Sequence, residues 1–404
     1  MRVVIIGAGA AGLMASTWAA RTHPDREILL LDGAEKLGAK ILVSGGGRCN
    51  VTHDQVDEDA YAGSSHHAIR KVLRRFDVLE TVEFFRDLGV ELKREATGKL
   101  FPVSDSARTV LKALLTAAGQ AGVVIQHPRR VDAVARDGDP FRISGRWGGL
   151  EADRVILACG GQSLPKTGSD GGGYALARSL GHAVTDRLFP ALVPLTLPRD
   201  HFLCALSGLT VQASLDLHSG TGRKLRDFTD STLCTHFGLS GPSVLNMSRY
   251  YIDALYDDPG AHLTINWLPG TTSEAVDGKI AALGRTSILN YLNGKIPDRL
   301  IRALCAHAGI EPGAPGGRLT RERRKALVEG LTALPLPITG NRGYNYAEVT
   351  AGGIPLSEIR LESMESRCCS GLFLCGEICD VDGRIGGYNF QWAWSSGFLA
   401  GISV

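Results

Sequence analysis

"RVVIIGAGAAGLMASTWAA", Arg2 to Ala20, is a short β-branched run followed by Gly7-x-Gly9-x-x-Gly12 and an alanine-rich segment. The order reads as a strand over Val3 to Ile6, a tight glycine turn, and a helix from about Ala11. In such a unit Gly7 makes the turn, Gly9 lets backbone close on a pyrophosphate, and Gly12 permits close helix–sheet packing. The helix N-terminus at Ala10 and Ala11 offers free N–H groups to the anion. A second apolar run, "REILLLDGAE", ends at Asp32, 20 residues after Gly12. A carboxylate there can accept both hydroxyls of a ribose. Fingerprint and acid together predict a dinucleotide site; a solvated strand-end carboxylate is the plainer reading of Asp32 alone.

The composition fits that start. The chain has 404 residues, 44% hydrophobic and 21% charged, long enough for two or three domains, and its formal net charge of +2 commits it to no partner. Its 50 glycines stand well above the usual level of about 7% and gather in short motifs without a collagen period. Nine cysteines, an odd and scattered number, fit reduced thiols better than a disulfide framework. Cys375 and Cys379 lack a second pair at zinc-finger spacing, so no metal is expected. An apolar strand begins directly after Met1-Arg2, and no apolar run reaches membrane-spanning length, so a cytoplasmic protein is expected.

Two further strand–glycine–helix units follow. "RVILACGGQSLPKTGSDGGGYALARSLGH", Arg154 to His182, gives a strand over Val155 to Cys159, then Gly160-Gly161, then a helix over Tyr174 to Leu180. The last unit has a strand over Gly371 to Glu377 and then "ICDVDGRIGGYNFQWAWSSGFLAG", where Gly386-Gly387 opens a terminal helix. Nucleotide contacts split between the first and last segments are the arrangement of FAD-binding flavoproteins. A plain NAD dehydrogenase completes its site in one stretch.

The segments "IIGAGAAGLMA", "AKILVSGGGRCNVT", "ACGGQSLPKTGSDGGGYALARSLGH", "PALVPL", "THFGLSGPSVLNMS", "AEVTAGGI" and "GEICDVDGRIGGYNFQWAWSSGFLAG" resemble the HI0933-like family of bacterial NAD(P)/FAD-dependent oxidoreductases. More distantly, they are similar to the flavoprotein subunits of fumarate reductases and to ketosteroid dehydrogenases. Asp32 stands where glutamate is common in the family, and Lys99 of "GKLFP" where arginine is usual. The resemblance implies an α/β fold: a Rossmann-like FAD domain over residues 1–190 and 343–404, interrupted by a β-barrel-like insert at 191–270 and 335–342 and a helical insert at 271–334. The substrate cleft is expected between domain and insertion, at the flavin. The residues agree in part. From Pro190 onward short β-type runs alternate with turns, suggesting a barrel or sandwich. After Thr271 the apolar spacing becomes helical, with Thr, Pro or Ser at the helix starts.

The glycine run in "LVSGGGRCNVT", Leu42 to Thr52, marks backbone that must approach something closely. By resemblance Ser44, Gly45, Gly46, Gly47, Arg48, Cys49 and Asn50 pass along the isoalloxazine or pyrophosphate. The remaining expected cofactor contacts are Lys40, Val131, Gly160, Gly161, Gly376, Glu377 and Asp380, with Gly386, Gly387, Tyr388 and Asn389 at the last helix start. Arg48 would stabilise a negatively charged reduced ring, or else form a surface ion pair. The proton for a C=C reduction would come from Cys49, His236 or Tyr388. Cys49 ranks first, because a loop position beside Arg48 lowers and exposes a thiol.

Between Arg285 and Lys325 nine basic residues face three acidic ones. This is either a solvated helical face or a phosphate-binding surface for ribosomal RNA. The resemblance implies reduction of a conjugated C=C bond, in a uridine of ribosomal RNA or in a steroid-like enone, with NADH or NADPH as the small-molecule reductant. A flavin-bearing redox sensor using Cys368-Cys369 is the third reading.

Overall fold

The computed structural model describes residues 1–404. It divides into two compact units, one made of Met1–Pro190 with Ala347–Val404 and one of Ala191–Tyr346. In the first unit the strand Arg2–Ile6 lies inside a seven-stranded sheet. Glu27–Leu31 and then Val124–Gln126 flank it on one side, Arg154–Leu157 and then Leu372–Leu374 on the other, all parallel. Two short antiparallel strands, Glu365–Ser366 and Ile359–Arg360, finish the edge beyond Leu372–Leu374. Parallel strands covered on both faces must be apolar throughout. Ile5 accordingly lies between Ile156 and Leu30, and Val3, Val4 and Ile5 are wholly buried.

Helices Ala10–Thr22 and Tyr388–Ser403 bring the early and late segments together. A methyl group on Gly397 would lie 2.6 Å from the Ala11 carbonyl oxygen, and one on Gly401 2.5 Å from that of Ala15. Four residues is one helical turn, so both glycines lie on one stripe, and only a missing side chain permits this approach. Nearer the start of the late helix, polar side chains pin the chain around residue 50. The Trp394 Nε1–H donates to the Val51 carbonyl (2.9 Å), and the Gln391 Oε1 accepts from the Thr52 and Thr81 hydroxyls (2.7 and 3.0 Å). Each of these groups is buried and would be costly without its partner.

The helix starts are close to those read from sequence: Ala10 for about Ala11, and Gly172–Ser179 for Tyr174–Leu180. A three-stranded sheet of Ala133–Ala135, Phe141–Gly145 and Gly148–Ala152, and another of Thr52–His53, Lys99–Pro102 and Leu92–Arg94, were not anticipated.

The second unit is built on a seven-stranded sheet whose ladders are antiparallel, with Thr210–His218 and Lys224–Thr235 as its long central pair. Its order runs from Leu334–Leu336 at one edge to Gly340–Asn341 at the other, with no ladder joining those two, so the β-element takes the form of an open sheet where a barrel was expected. Helices Ser273–Ala281, Ile288–Leu292, Asp298–His307 and Arg321–Thr332 fill the stretch of helical apolar spacing. Thr272, Ser287 and Thr320 cap three of them by accepting from backbone N–H groups of the first turn. All nine cysteines are free thiols, and no helix is long and apolar enough to cross a membrane.

Candidate functional site

The glycines of the fingerprint divide by what surrounds them. A Cβ on Gly7 would meet the Ala158 carbonyl oxygen at 2.5 Å, and one on Gly12 the Gly7 oxygen at 1.8 Å, so both are held against protein. Gly9 has no heavy atom within 4 Å of that position. It precedes the 13-residue helix Ala10–Thr22, whose first turn no side chain caps. Open space before uncapped N–H groups is the arrangement an anion needs. Asp32 lies beside this turn: one carboxylate oxygen accepts from the Ala8 N–H (2.6 Å), the other from the Ala34 N–H (2.7 Å). Each oxygen keeps a lone pair for a ribose hydroxyl. The Arg129 N–H donates to the Asp32 carbonyl (2.6 Å), which brings the segment carrying the buried Val131 to the same place.

The loop Ser44–Asn50 is a left-handed stretch. Gly45, Gly46 and Gly47 have φ of 55°, 68° and 85°, and Cys49 has φ of 60°. The three glycines are exposed and nothing lies within 4 Å of a Cβ on Gly46, whereas Asn50 is buried and its Oδ1 has no hydrogen-bond partner. A second buried oxygen without a partner, the Ser169 Oγ, lies against Gly160, where a Cβ would meet it at 2.8 Å. Open glycine surfaces and buried orphan acceptors on the glycine loops fit an extended dinucleotide such as FAD.

The other two glycine units are tied to this loop. A Cβ on Gly387 would lie 2.6 Å from the Thr52 carbonyl oxygen, so the start of Tyr388–Ser403 rests directly beyond Asn50; no side chain caps that helix either. The Thr350 Oγ1 accepts from the Gln162 and Ser163 N–H groups (2.7 and 3.1 Å), while Glu377 accepts from the Thr350 N–H (3.0 Å) and forms an ion pair with Lys40. Gly161 passes this cluster closely, and Gly376 passes Ala11: their Cβ atoms would meet Thr350 Oγ1 and Ala11 Cβ at 2.5 and 2.7 Å. Asp380 accepts from the Ser64 hydroxyl (3.2 Å). Asn389 holds both polar backbone groups of Gly383 with its side-chain amide (2.8 and 2.9 Å) and so fixes the turn before the helix.

The proton-donor candidates change rank. Cys49 is wholly buried, and burial pushes its thiol up to about 12. The expectation of an exposed, lowered thiol is therefore corrected: the neighbouring arginine turns elsewhere, and desolvation decides. Arg48 donates to Glu95 (2.6 Å), lies 3.6 Å from Asp105, and stacks its guanidinium over Phe101, 4.0 Å from the ring centroid. It is the ion pair of the alternative reading. Tyr388 stacks on His53 with ring centroids 5.0 Å apart, and burial raises its hydroxyl. His236 belongs to the other unit, exposed in the turn between Lys224–Thr235 and Gly238–Ser240, its ring edge on Phe237.

Two charged residues were not read from the sequence as site residues. A methyl group on Gly386 would lie 3.7 Å from the Lys99 Cε and 3.5 Å from the His53 Cδ2, so Lys99 stands beside the uncapped helix. Glu348 feels the positive charge of both Lys99 and Lys40. Its signal in sequence was a lone acid inside "AEVTAGGI".

The family profile described as HI0933-like protein Rossmann domain matches residues 1–403. A 3-dehydro-bile acid delta(4,6)-reductase of Clostridium scindens is 35% identical over 404 residues, covering 99% of this chain and 98% of that protein. A ribosomal RNA dihydrouridine synthase of Escherichia coli is 35% identical over 396 residues, covering 97% and 95%. Among solved structures, a 3-ketosteroid delta1-dehydrogenase of Sterolibacterium denitrificans aligns over 99% of both chains at 13% identity with a TM-score of 0.52. A quinol-fumarate reductase aligns over 99% of this chain and 70% of its own at 16% identity, also with a TM-score of 0.52; these two likenesses concern the fold alone. With glycine turns from early and late segments brought into one unit and relatives matched end to end, the chain belongs to the HI0933-like family and is an FAD-dependent oxidoreductase.

Proposed function

We propose that the protein reduces a conjugated C=C bond, and that its substrate is a uridine in ribosomal RNA. Bound FAD supplies the hydride chemistry. The turn Gly7–Gly12 and the helix behind it hold the pyrophosphate, Asp32 the ribose, and the loop Ser44–Asn50 with Gly386-Gly387 the ring. Lys99 and the uncapped N-terminus of Tyr388–Ser403 place positive charge where the ring gains negative charge. A reduced nicotinamide nucleotide is the reductant in this reading.

The observation that favours RNA is the state of the basic residues between Arg285 and Lys325. Arg302 and Arg324 are spent on Asp298 and Asp277, and Arg299 donates to the Ala205 carbonyl. Arg285, Arg318, Arg321, Arg323 and Lys325 are exposed, and none is in an ion pair. Arg321 and Arg323 open the helix Arg321–Thr332, where the helix dipole disfavours cations. Basic side chains at a position that costs stability fit a surface that meets phosphates. The enone reading is favoured by one observation of equal weight, the relative named for a bile-acid reduction at 35% identity. Protein reconstituted with FAD, given NADH or NADPH, separates the two when offered unmodified ribosomal RNA or a 3-oxo-4,6-diene bile acid. Dihydrouridine detected by mass spectrometry supports the RNA reading. Reduction of the bile acid with the RNA unchanged overturns it.

A further inference from the structure

We propose that Arg342 is an oxoanion-binding residue of the second unit, holding two oxygens of one phosphate or carboxylate group of the substrate. The inference rests on the reductase reading and names the substrate group that this unit recognises, since an RNA and a bile acid both carry such a group.

Strand pairing brings the parts together. Leu195–Thr196 lies between Gly238–Ser240 and Gly340–Asn341 and is antiparallel to both. Phe237 directly precedes the first of these neighbours and Arg342 directly follows the second. Both main chains are fastened at the ends of the central strand: the Leu197 N–H donates to the Phe237 carbonyl (3.0 Å), and the Arg342 N–H to the Pro194 carbonyl (3.1 Å). After Arg342 the chain turns. The Asn341 Oδ1 accepts from the Gly343 N–H (2.8 Å) and the Tyr346 N–H donates to the Gly343 carbonyl (3.0 Å), which returns Tyr346 to the arginine.

The Arg342 guanidinium carbon lies over two rings, 4.3 Å from the Phe237 centroid and 3.6 Å from that of Tyr346. The rings make no contact with each other, so they flank the cation from different sides. Arg226 differs: its rings, Tyr250 and Phe228, lie against each other with centroids 5.6 Å apart and approach it from one side. With both faces covered, the Arg342 guanidinium keeps only its edge, where all its N–H donors lie in one plane. Those donors are unused. The side chain is half-buried, yet it makes no hydrogen bond and no ion pair. A cation held away from water without an acceptor is costly, and a flat fork of donors is met best by two oxygens of a carboxylate or phosphate in the same plane. A base or an enone ring cannot stack on this cation, because no face is left for it. The cluster opens outward: Tyr346 is 52% exposed, and His236, its ring edge on Phe237, is exposed as well.

The test is Arg342→Met, which keeps an unbranched chain between the rings and removes charge and donors, with Arg342→Lys as the variant that keeps charge without the fork. Binding to the FAD-reconstituted protein is measured directly, for a ribosomal RNA fragment by fluorescence anisotropy over a salt series, and for a 3-oxo-4,6-diene bile acid and its methyl ester by calorimetry. Whichever class the wild type binds, Arg342→Met should lose roughly 10- to 100-fold in affinity, with Arg342→Lys in between. If the oxoanion is an RNA phosphate, the slope of log affinity against log salt becomes shallower by about one. If it is the bile-acid carboxylate, the wild type prefers the acid to the ester and Arg342→Met binds the two alike. A melt within a few degrees of wild type separates these losses from unfolding; should Arg342→Met melt lower than that, Arg342→Lys carries the comparison. Unchanged affinity, or a loss that leaves both the salt slope and the acid-to-ester preference as in the wild type, overturns the assignment and leaves the arginine a packing residue. A wild type that binds neither probe overturns it too. A wild type that binds a probe but does not reduce it defeats the reductase reading instead, and the same binding comparison still judges Arg342.

Discussion

The turn Gly7–Gly12 and the loop Ser44–Asn50 both bend the backbone without side chains, yet their glycines answer to different neighbours. Gly7 and Gly12 are closed in by the strand and turn they pack on, at 2.5 and 1.8 Å from an added Cβ. Gly9 and Gly46 look into space that no protein atom occupies within 4 Å. The first kind is needed for the chain to fold at all. The second is spare room, and spare room beside uncapped N–H groups and an orphan Asn50 oxygen suits a ligand. A glycine motif in a sequence does not separate the two; the coordinates do.

The sharpest way to break this division is Gly12→Val. With the Gly7 oxygen 1.8 Å from the new Cβ, the helix must leave the sheet. A loss above about 4 kcal/mol is expected, seen as failure to yield a cooperative melt. Gly9→Val should do the opposite. Its φ of −79° suits any residue and its surroundings are open, so the melt of the cofactor-free protein should stay within a few degrees of wild type. FAD affinity, followed by flavin absorbance, should drop at least about 100-fold, or roughly 2.7 kcal/mol. A Gly9→Val protein that stays yellow places the dinucleotide elsewhere.

Cys49→Ala tests the closed side of the second loop. Removing a buried sulfur should cost about 1 kcal/mol in chemical denaturation while turnover persists, because a wholly buried thiol can neither reach a substrate nor exchange its proton with water. Abolished turnover with intact FAD binding would return that role to Cys49. The smallest stability change is expected from Arg321→Glu with Lys325→Glu in the other unit. Both side chains are exposed and unpaired, so stability should shift within about 0.5 kcal/mol. RNA affinity should fall, with the slope of log affinity against log salt shallower by about two. An unchanged slope removes the RNA surface from consideration.

The frame of this molecule was readable because its signals are local. A β-branched run before Gly7, an acid at Asp32, and Thr272, Ser287 and Thr320 ahead of helical spacing each state their structure within a few residues. The site was less readable because its chemistry depends on which way side chains turn. Arg48 next to Cys49 suggested an activated thiol. The structure spends that arginine on Glu95 and Phe101 and buries the sulfur, outcomes set by partners about 50 residues away. Lys99 was visible in sequence only as a charge-conserving departure in "GKLFP", far from Gly386 along the chain. Lys99 comes beside Gly386 only because the strand Lys99–Pro102 and the start of the last helix converge, a property of topology that spacing cannot announce.

The stripe of Gly397 and Gly401 against Ala11 and Ala15 also bears on how the protein is made. A ribosome extends the chain by hundreds of residues after Ala10–Thr22 before it reaches the partner helix Tyr388–Ser403. At about 5–20 residues per second that is a wait of roughly 20–75 s. Throughout it the face of the first helix that carries Ala11 and Ala15 lacks its cover, and the loop Ser44–Asn50 lacks the Gly386-Gly387 turn that rests beyond it. Nascent chains should therefore depend on chaperones until translation nears its end, and flavin loading should follow synthesis of the last helix instead of accompanying growth of the chain.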